Sequence, residues 1–91
     1  MSYKILITKT AEKTIAKYKK SNPFAYKKFL QLLPELQEHP KTGTGHPEPL
    51  LLCNSITYSR RITANDRLIY DIFEEIITVN ICSIEGHYKD K

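Results

Sequence analysis

The sequence predicts an α+β fold: an N-terminal strand, a two-helix hairpin, then an antiparallel sheet. Three observations predict it. A short run of β-formers, YKILIT, opens the chain; two stretches of helical spacing follow between Thr8 and His39; and from Tyr58 onward three runs of strand character are divided by short turns. Strands gathered after a pair of helices imply a layered arrangement, with the helices on one face of the sheet and the other face free. Ninety-one residues make a single domain, 1–91, with room for one core.

Each element has a local cause. Tyr3 to Thr8 reads as the first strand. Thr8 or Thr10 can cap a helix running to about Lys20, because a threonine oxygen accepts an orphan amide of the first turn. Ala11, Ile15 and Tyr18 form its narrow apolar stripe, and Lys9, Lys13, Lys17 and Lys20 occupy much of the remainder. Asn22-Pro23 starts a second helix: asparagine caps, and proline suits the first helical position. Tyr26, Phe29, Leu30, Leu33 and Leu36 follow helical spacing there. Pro34 predicts a kink or a short restart, and His39-Pro40 an end. Residues 41–49 (KTGTGHPEP) are loop by composition. Leu50 to Cys53 is a short strand candidate. Tyr58 to Thr63, Asp66 to Phe73 and Ile76 to Ile84 read as consecutive strands, with turns at Ala64-Asn65 and Glu74-Glu75. Leu68, Tyr70 and Ile72 lie on one face of the middle strand, Arg67, Ile69, Asp71 and Phe73 on the other; Ile77, Val79 and Ile81 share a face in the last.

Composition narrows the function classes. An apolar content of 41% is too high for a disordered chain, and no apolar run approaches the roughly 20 residues of a membrane helix. With no signal-peptide pattern either, the expected location is the cytoplasm. Cys53 and Cys82 lack CxxC spacing and read as two free thiols, a structural disulfide being the alternative. The net charge of +4 is uneven: residues 1–42 hold nine lysines against three glutamates, whereas residues 43–91 hold five basic and seven acidic groups. A basic first half attracts a polyanion such as nucleic acid; the same lysines also serve simply to solvate two helices.

Several side chains could carry chemistry. Glu48 stands between Pro47 and Pro49, which stiffen the backbone that carries it. Arg60 and Arg61 are neighbours on a strand and must point to opposite faces. Arg61 shares parity with Ser59 and Thr63 and faces solvent or ligand; Arg60 shares parity with Tyr58 and Ile62 and packs along its stem or pairs with an acid. Arg67 lies mid-strand beside Ile69, where a charge is costly unless it faces a ligand or an acid such as Asp71 or Glu85. His87 and Tyr88 follow the last strand. His39, His46 and His87 match no metal-ligand spacing, so neither a metal nor another cofactor is expected.

Four segments, Gly43-Thr44-Gly45-His46-Pro47-Glu48-Pro49-Leu50, Ser59-Arg60-Arg61-Ile62-Thr63, Arg67-Leu68-Ile69-Tyr70 and Gly86-His87-Tyr88, together resemble the YoeB/Txe branch of the RelE/ParE toxin superfamily. Their order and spacing match throughout residues 41–88, whereas the first forty residues agree only in the strand–helix–helix plan. The resemblance implies a RelE-like microbial ribonuclease fold and a ribosome-dependent endoribonuclease that cuts messenger RNA. It assigns catalysis to Glu48 as general base, Arg67 at the phosphate and His87 as general acid. Arg61, Tyr88 and Arg60 are assigned to substrate or phosphate binding. It also implies a YefM-like antitoxin as partner, contact with DNA only through the antitoxin complex, and a homodimer; no membrane enters. One departure stands out: the family often has a lysine directly after PEPL, and this chain has Leu51. The chemistry fits the assignment, since RNA supplies its own nucleophile in the ribose 2′-hydroxyl. Two other readings compete: a ParE-like toxin that binds DNA gyrase, and an RNA-binding module without cleavage.

Overall fold

A computed structural model of the chain describes residues 2–43, 45, 47–49 and 56–86. Strand β1 (Lys4–Ile7) leads into helix α1 (Lys9–Ser21) and helix α2 (Pro23–Glu38). A two-residue strand, β2 (Glu48–Pro49), is followed by β3 (Thr57–Arg61), β4 (Arg67–Phe73), a 3-10 turn (Glu74–Ile76) and β5 (Thr78–Glu85). The five strands form one sheet in the order β1-β5-β4-β3-β2. All pairings are antiparallel except β1 with β5, so the N-terminal strand makes the sheet mixed rather than purely antiparallel.

The helix boundaries follow from two side chains. Thr8 Oγ1 accepts from the Ala11 amide (3.1 Å) and donates to the carbonyl of Cys82 (2.7 Å), capping α1 and tying it to β5. Asn22 closes one helix and opens the next: its N–H donates to the Tyr18 carbonyl (2.8 Å), and its Oδ1 accepts from the Ala25 amide (3.2 Å). No linker separates the helices. Helix α2 runs unbroken past Pro34, so the expected restart is absent. Its buried stripe is Ala25, Phe29, Leu32 and Leu36, whereas Leu30 is exposed.

Phe29, Leu32 and Leu36 pack with Ala11 against Leu68, Tyr70, Ile72, Val79 and Ile81, which line one sheet face. The alternation in β4 holds over its whole length. In β5 it does not. Ile69 pairs with Ser83 but Tyr70 with Ile81, so Cys82 is an extra, bulged residue and the inward parity shifts to Ile84. Ile77 lies outside the strand, at φ 48°, so Val79 and Ile81 alone carry the inward face expected of all three. The candidate strand Leu50 to Cys53 lies outside the described residues. Among those described, no helix is long and apolar enough to cross a membrane.

Candidate active site

The sheet register assembles the site. Glu48 on β2 pairs with Ser59 on β3, and Ser59 pairs with Ile69 on β4. Two residues along, Arg61 pairs with Arg67, and Arg67 with Glu85 on β5. Residues opposite one another share a face, as do residues i and i+2 of one strand. Glu48, Arg61 and Arg67 therefore lie on a single face, the one turned away from the helices. Ideal sheet spacing sets the Glu48 and Arg61 Cα atoms roughly 8 Å apart, and those of Glu48 and Arg67 roughly 12 Å apart. A glutamate and two arginine side chains span such gaps to a common ligand. Glu48 and Arg61 are exposed and Arg67 is half-buried, its Nη1 donating to Ser59 Oγ at 3.5 Å.

Two guanidiniums opposite one another repel, and the arrangement is favoured when an anion lies across both. Glu85 on the far side of Arg67 and Glu48 on the near side bound this cationic pair. Glu48 itself is held through its backbone. Its strand is only two residues long, but the Arg61 amide donates to the Gly45 carbonyl (2.8 Å), pinning the preceding loop to β3. Gly45 has φ +90°, and a Cβ there would lie 2.4 Å from the Arg61 carbonyl oxygen and 2.8 Å from Arg60 Cγ. Glycine is required on both counts.

Arg60 is not at this surface. Its side chain is fully buried on the helix-facing side, and its donors are spent inside the protein. Nη2 donates to the carbonyls of His39 (2.9 Å) and Thr42 (2.7 Å), and Nη1 to Glu35 Oε1 (3.1 Å). Nε reaches the Tyr70 hydroxyl (3.4 Å). The substrate-binding role expected for Arg60 is therefore corrected: strand parity turns it inward, where it pairs with an acid. His87 and Tyr88 lie outside the described residues, as does His46.

Sequence reasoning missed a second polar node, at the end of β5. Asp66 Oδ1 accepts from the Tyr18 hydroxyl (2.5 Å) and its Oδ2 from Thr63 Oγ1 (2.5 Å). Burial and then the bond to Asp66 hold the Tyr18 phenol well above its ordinary range. A Cβ at Gly86, the residue before His87, would lie 3.4 Å from Asp66 Oδ1 and 3.6 Å from the Tyr18 hydroxyl. The only sequence signal near this node was the Ala64-Asn65 turn just before Asp66; nothing local linked it to Tyr18. Among the described residues, no three His, Cys, Asp or Glu side chains cluster as metal ligands would.

A family model described as a YoeB-like toxin of bacterial type II toxin-antitoxin systems matches residues 7–88. This chain belongs to that family. The YoeB toxin of Escherichia coli K12 is 36% identical over 56 residues, which cover 62% of this chain and 67% of that protein. The YoeB dimer of Staphylococcus aureus superimposes with a TM-score of 0.82 at 26% identity, covering 97% of this chain and 100% of that one. A YoeB-YefM complex from the same organism gives 0.76 at 27% identity, with 97% and 100% covered. The fold of this YoeB-like toxin is thus RelE-like, as the four sequence segments implied.

Proposed function

We propose that this YoeB-like toxin is a ribosome-dependent endoribonuclease that cleaves messenger RNA through the ribose 2′-hydroxyl, without a metal. One observation carries the reading: the register sets the Glu48 carboxylate and the guanidiniums of Arg61 and Arg67 on one sheet face. Glu48 takes the proton of the 2′-hydroxyl, whose oxygen attacks phosphorus. The P–O5′ bond breaks, and His87, with Tyr88 beside it, delivers a proton to the departing 5′-oxygen. The products are a 2′,3′-cyclic phosphate and a 5′-hydroxyl. Arg61 and Arg67 neutralise charge building on the phosphorane oxygens, the kind of stabilisation that commonly contributes most. The exposed lysines of α1 and α2 suit ribosomal RNA, with affinity that falls steeply as salt rises.

The toxin's site of action is then the cytoplasm, where its substrate is translated. By analogy with the S. aureus proteins, its partners are a YefM-like antitoxin, through which it meets DNA only indirectly, and a second copy of itself. The test is to map messenger RNA ends in a translation extract. Glu48→Gln and His87→Gln should each cut about 10²- to 10⁴-fold more slowly than the unaltered toxin. Undiminished cutting by both would remove the acid–base assignment. Intact message with inhibited DNA supercoiling would mark a gyrase-directed toxin instead, and ribosome binding without cleavage an RNA-binding module.

A further inference from the structure

The Arg60 side chain is buried, yet two of its acceptors lie on the segment that leads from α2 toward Glu48. The carbonyls of His39 and Thr42 accept from Arg60 directly. The carbonyl between them in sequence, that of Pro40, accepts from the Tyr70 hydroxyl (2.7 Å), which is itself bonded to Arg60. One guanidinium and one phenol thus hold three carbonyls of a single turn. Gly43 crosses directly over the Arg60–Glu35 pair: a Cβ there would stand 2.6 Å from Glu35 Oε1 and 3.4 Å from Arg60 Nη1. Gly45, two residues on, lies against Arg60 Cγ and the Arg61 backbone. Glu48 follows three residues later.

We propose that Arg60 is a positioning residue for the active site. It fixes the exit of the chain from α2, so that β2 docks with Glu48 opposite Ser59 and on the face of Arg61 and Arg67. The inference rests on the nuclease reading and deepens it. Arginine suits the task because its planar fork sends donors in several fixed directions; a lysine ammonium, with three donors at one point, cannot span Glu35, two carbonyls and Tyr70 together. Stability alone would not call for this arrangement, since well-packed apolar side chains often replace buried ion pairs without loss. What an apolar side chain cannot do is hold carbonyl groups in place.

Tyr70→Phe is the decisive variant. It removes the bridging hydroxyl and keeps the ring that stacks on Tyr58 in the core. Arg60→Lys is the harsher companion. Two readouts separate positioning from folding. Hydrogen exchange of the Arg61 amide, which bonds Gly45, should quicken about tenfold in Tyr70→Phe, while core amides such as Val79 keep their protection. Message cleavage should fall about tenfold in the otherwise unaltered toxin, but less than about twofold when Tyr70→Phe is added to Glu48→Gln, because loosening the loop costs little once its carboxylate is gone. An unchanged Arg61 exchange rate overturns the proposal. So does an equal loss of cleavage in both backgrounds, the mark of a general folding defect. A wild-type toxin that cuts no ribosome-bound message would sink the nuclease reading itself, and the positioning role with it, whatever the exchange rates.

Discussion

Replacing Gly45 with alanine tests how the glutamate loop is held. A residue with a side chain at φ +90° is strained by about 1–3 kcal/mol. The new methyl would also stand 2.4 Å from the Arg61 carbonyl oxygen, well inside contact distance, so the loop must lift from β3. Lifting breaks the Gly45–Arg61 backbone bond, a loss of about 0.5–1.5 kcal/mol. It also relieves the strain, and Glu48 and Pro49 are exposed, so undocking this edge sacrifices little core. Local release is the lesser cost. The expected loss of global stability is therefore about 1–2 kcal/mol, which in urea lowers the unfolding midpoint by about 1 M for a protein of this size. Cleavage should suffer far more, by about 10²-fold, because the base leaves its position. An unchanged midpoint together with an unchanged cleavage rate would show that Gly45 does not hold the loop on β3. A chain that fails to fold would contradict local release, since that would make the loop part of the core.

Two further outcomes follow from titrating groups. Tyr18 is held protonated by burial and by its bond to Asp66, so its folded value is raised; the stability it adds is fully present below about pH 10 and is lost as pH climbs through that raised value. Measured by urea unfolding, the advantage of the unaltered protein over Tyr18→Phe should hold steady up to about pH 9 and narrow above it. A constant gap to pH 12 would contradict the assignment. Burial, with the Asp71 carboxylate adding to it, pushes the Cys82 thiol up to about 11. In a Cys53→Ser background, alkylation at pH 8 should therefore run about 10²-fold slower than for a free cysteine, and a comparable rate would disprove the burial argument.

Local signals made much of the fold legible. The Thr8/Thr10 pair, of which Thr8 is the cap, and Asn22-Pro23 announced both helix starts, and β4 alternates as its sequence does. Three features had no local trace. The parallel pairing of β1 with β5 joins residues more than seventy positions apart, and nothing in YKILIT specifies the partner. The bulge at Cys82 reverses parity, so Ile84 turns inward against simple alternation from Val79. In α2 the run LQLLPEL offers leucines all round the helix, and tertiary packing, not spacing, selected Leu32 over Leu30. Parity turned Arg60 inward and Arg61 outward, against the substrate-binding role the family resemblance lent to Arg60. The grouping of Glu48 with the two outward arginines depended on a register set by a two-residue strand, too short to read from composition.

The parallel pairing has a consequence for how the protein is made. Lys4 faces Thr78 across the sheet, so the opening segment of the chain must wait for the closing one before its backbone is satisfied. Contacts at such sequence separation slow folding, and on a translating ribosome they cannot form until residues 78–81 have emerged. The helical hairpin can gather early, but the sheet bearing the arginines and the glutamate closes only once β5 has been made. An incomplete product, truncated before residue 78, has no strand to join its first element to the rest.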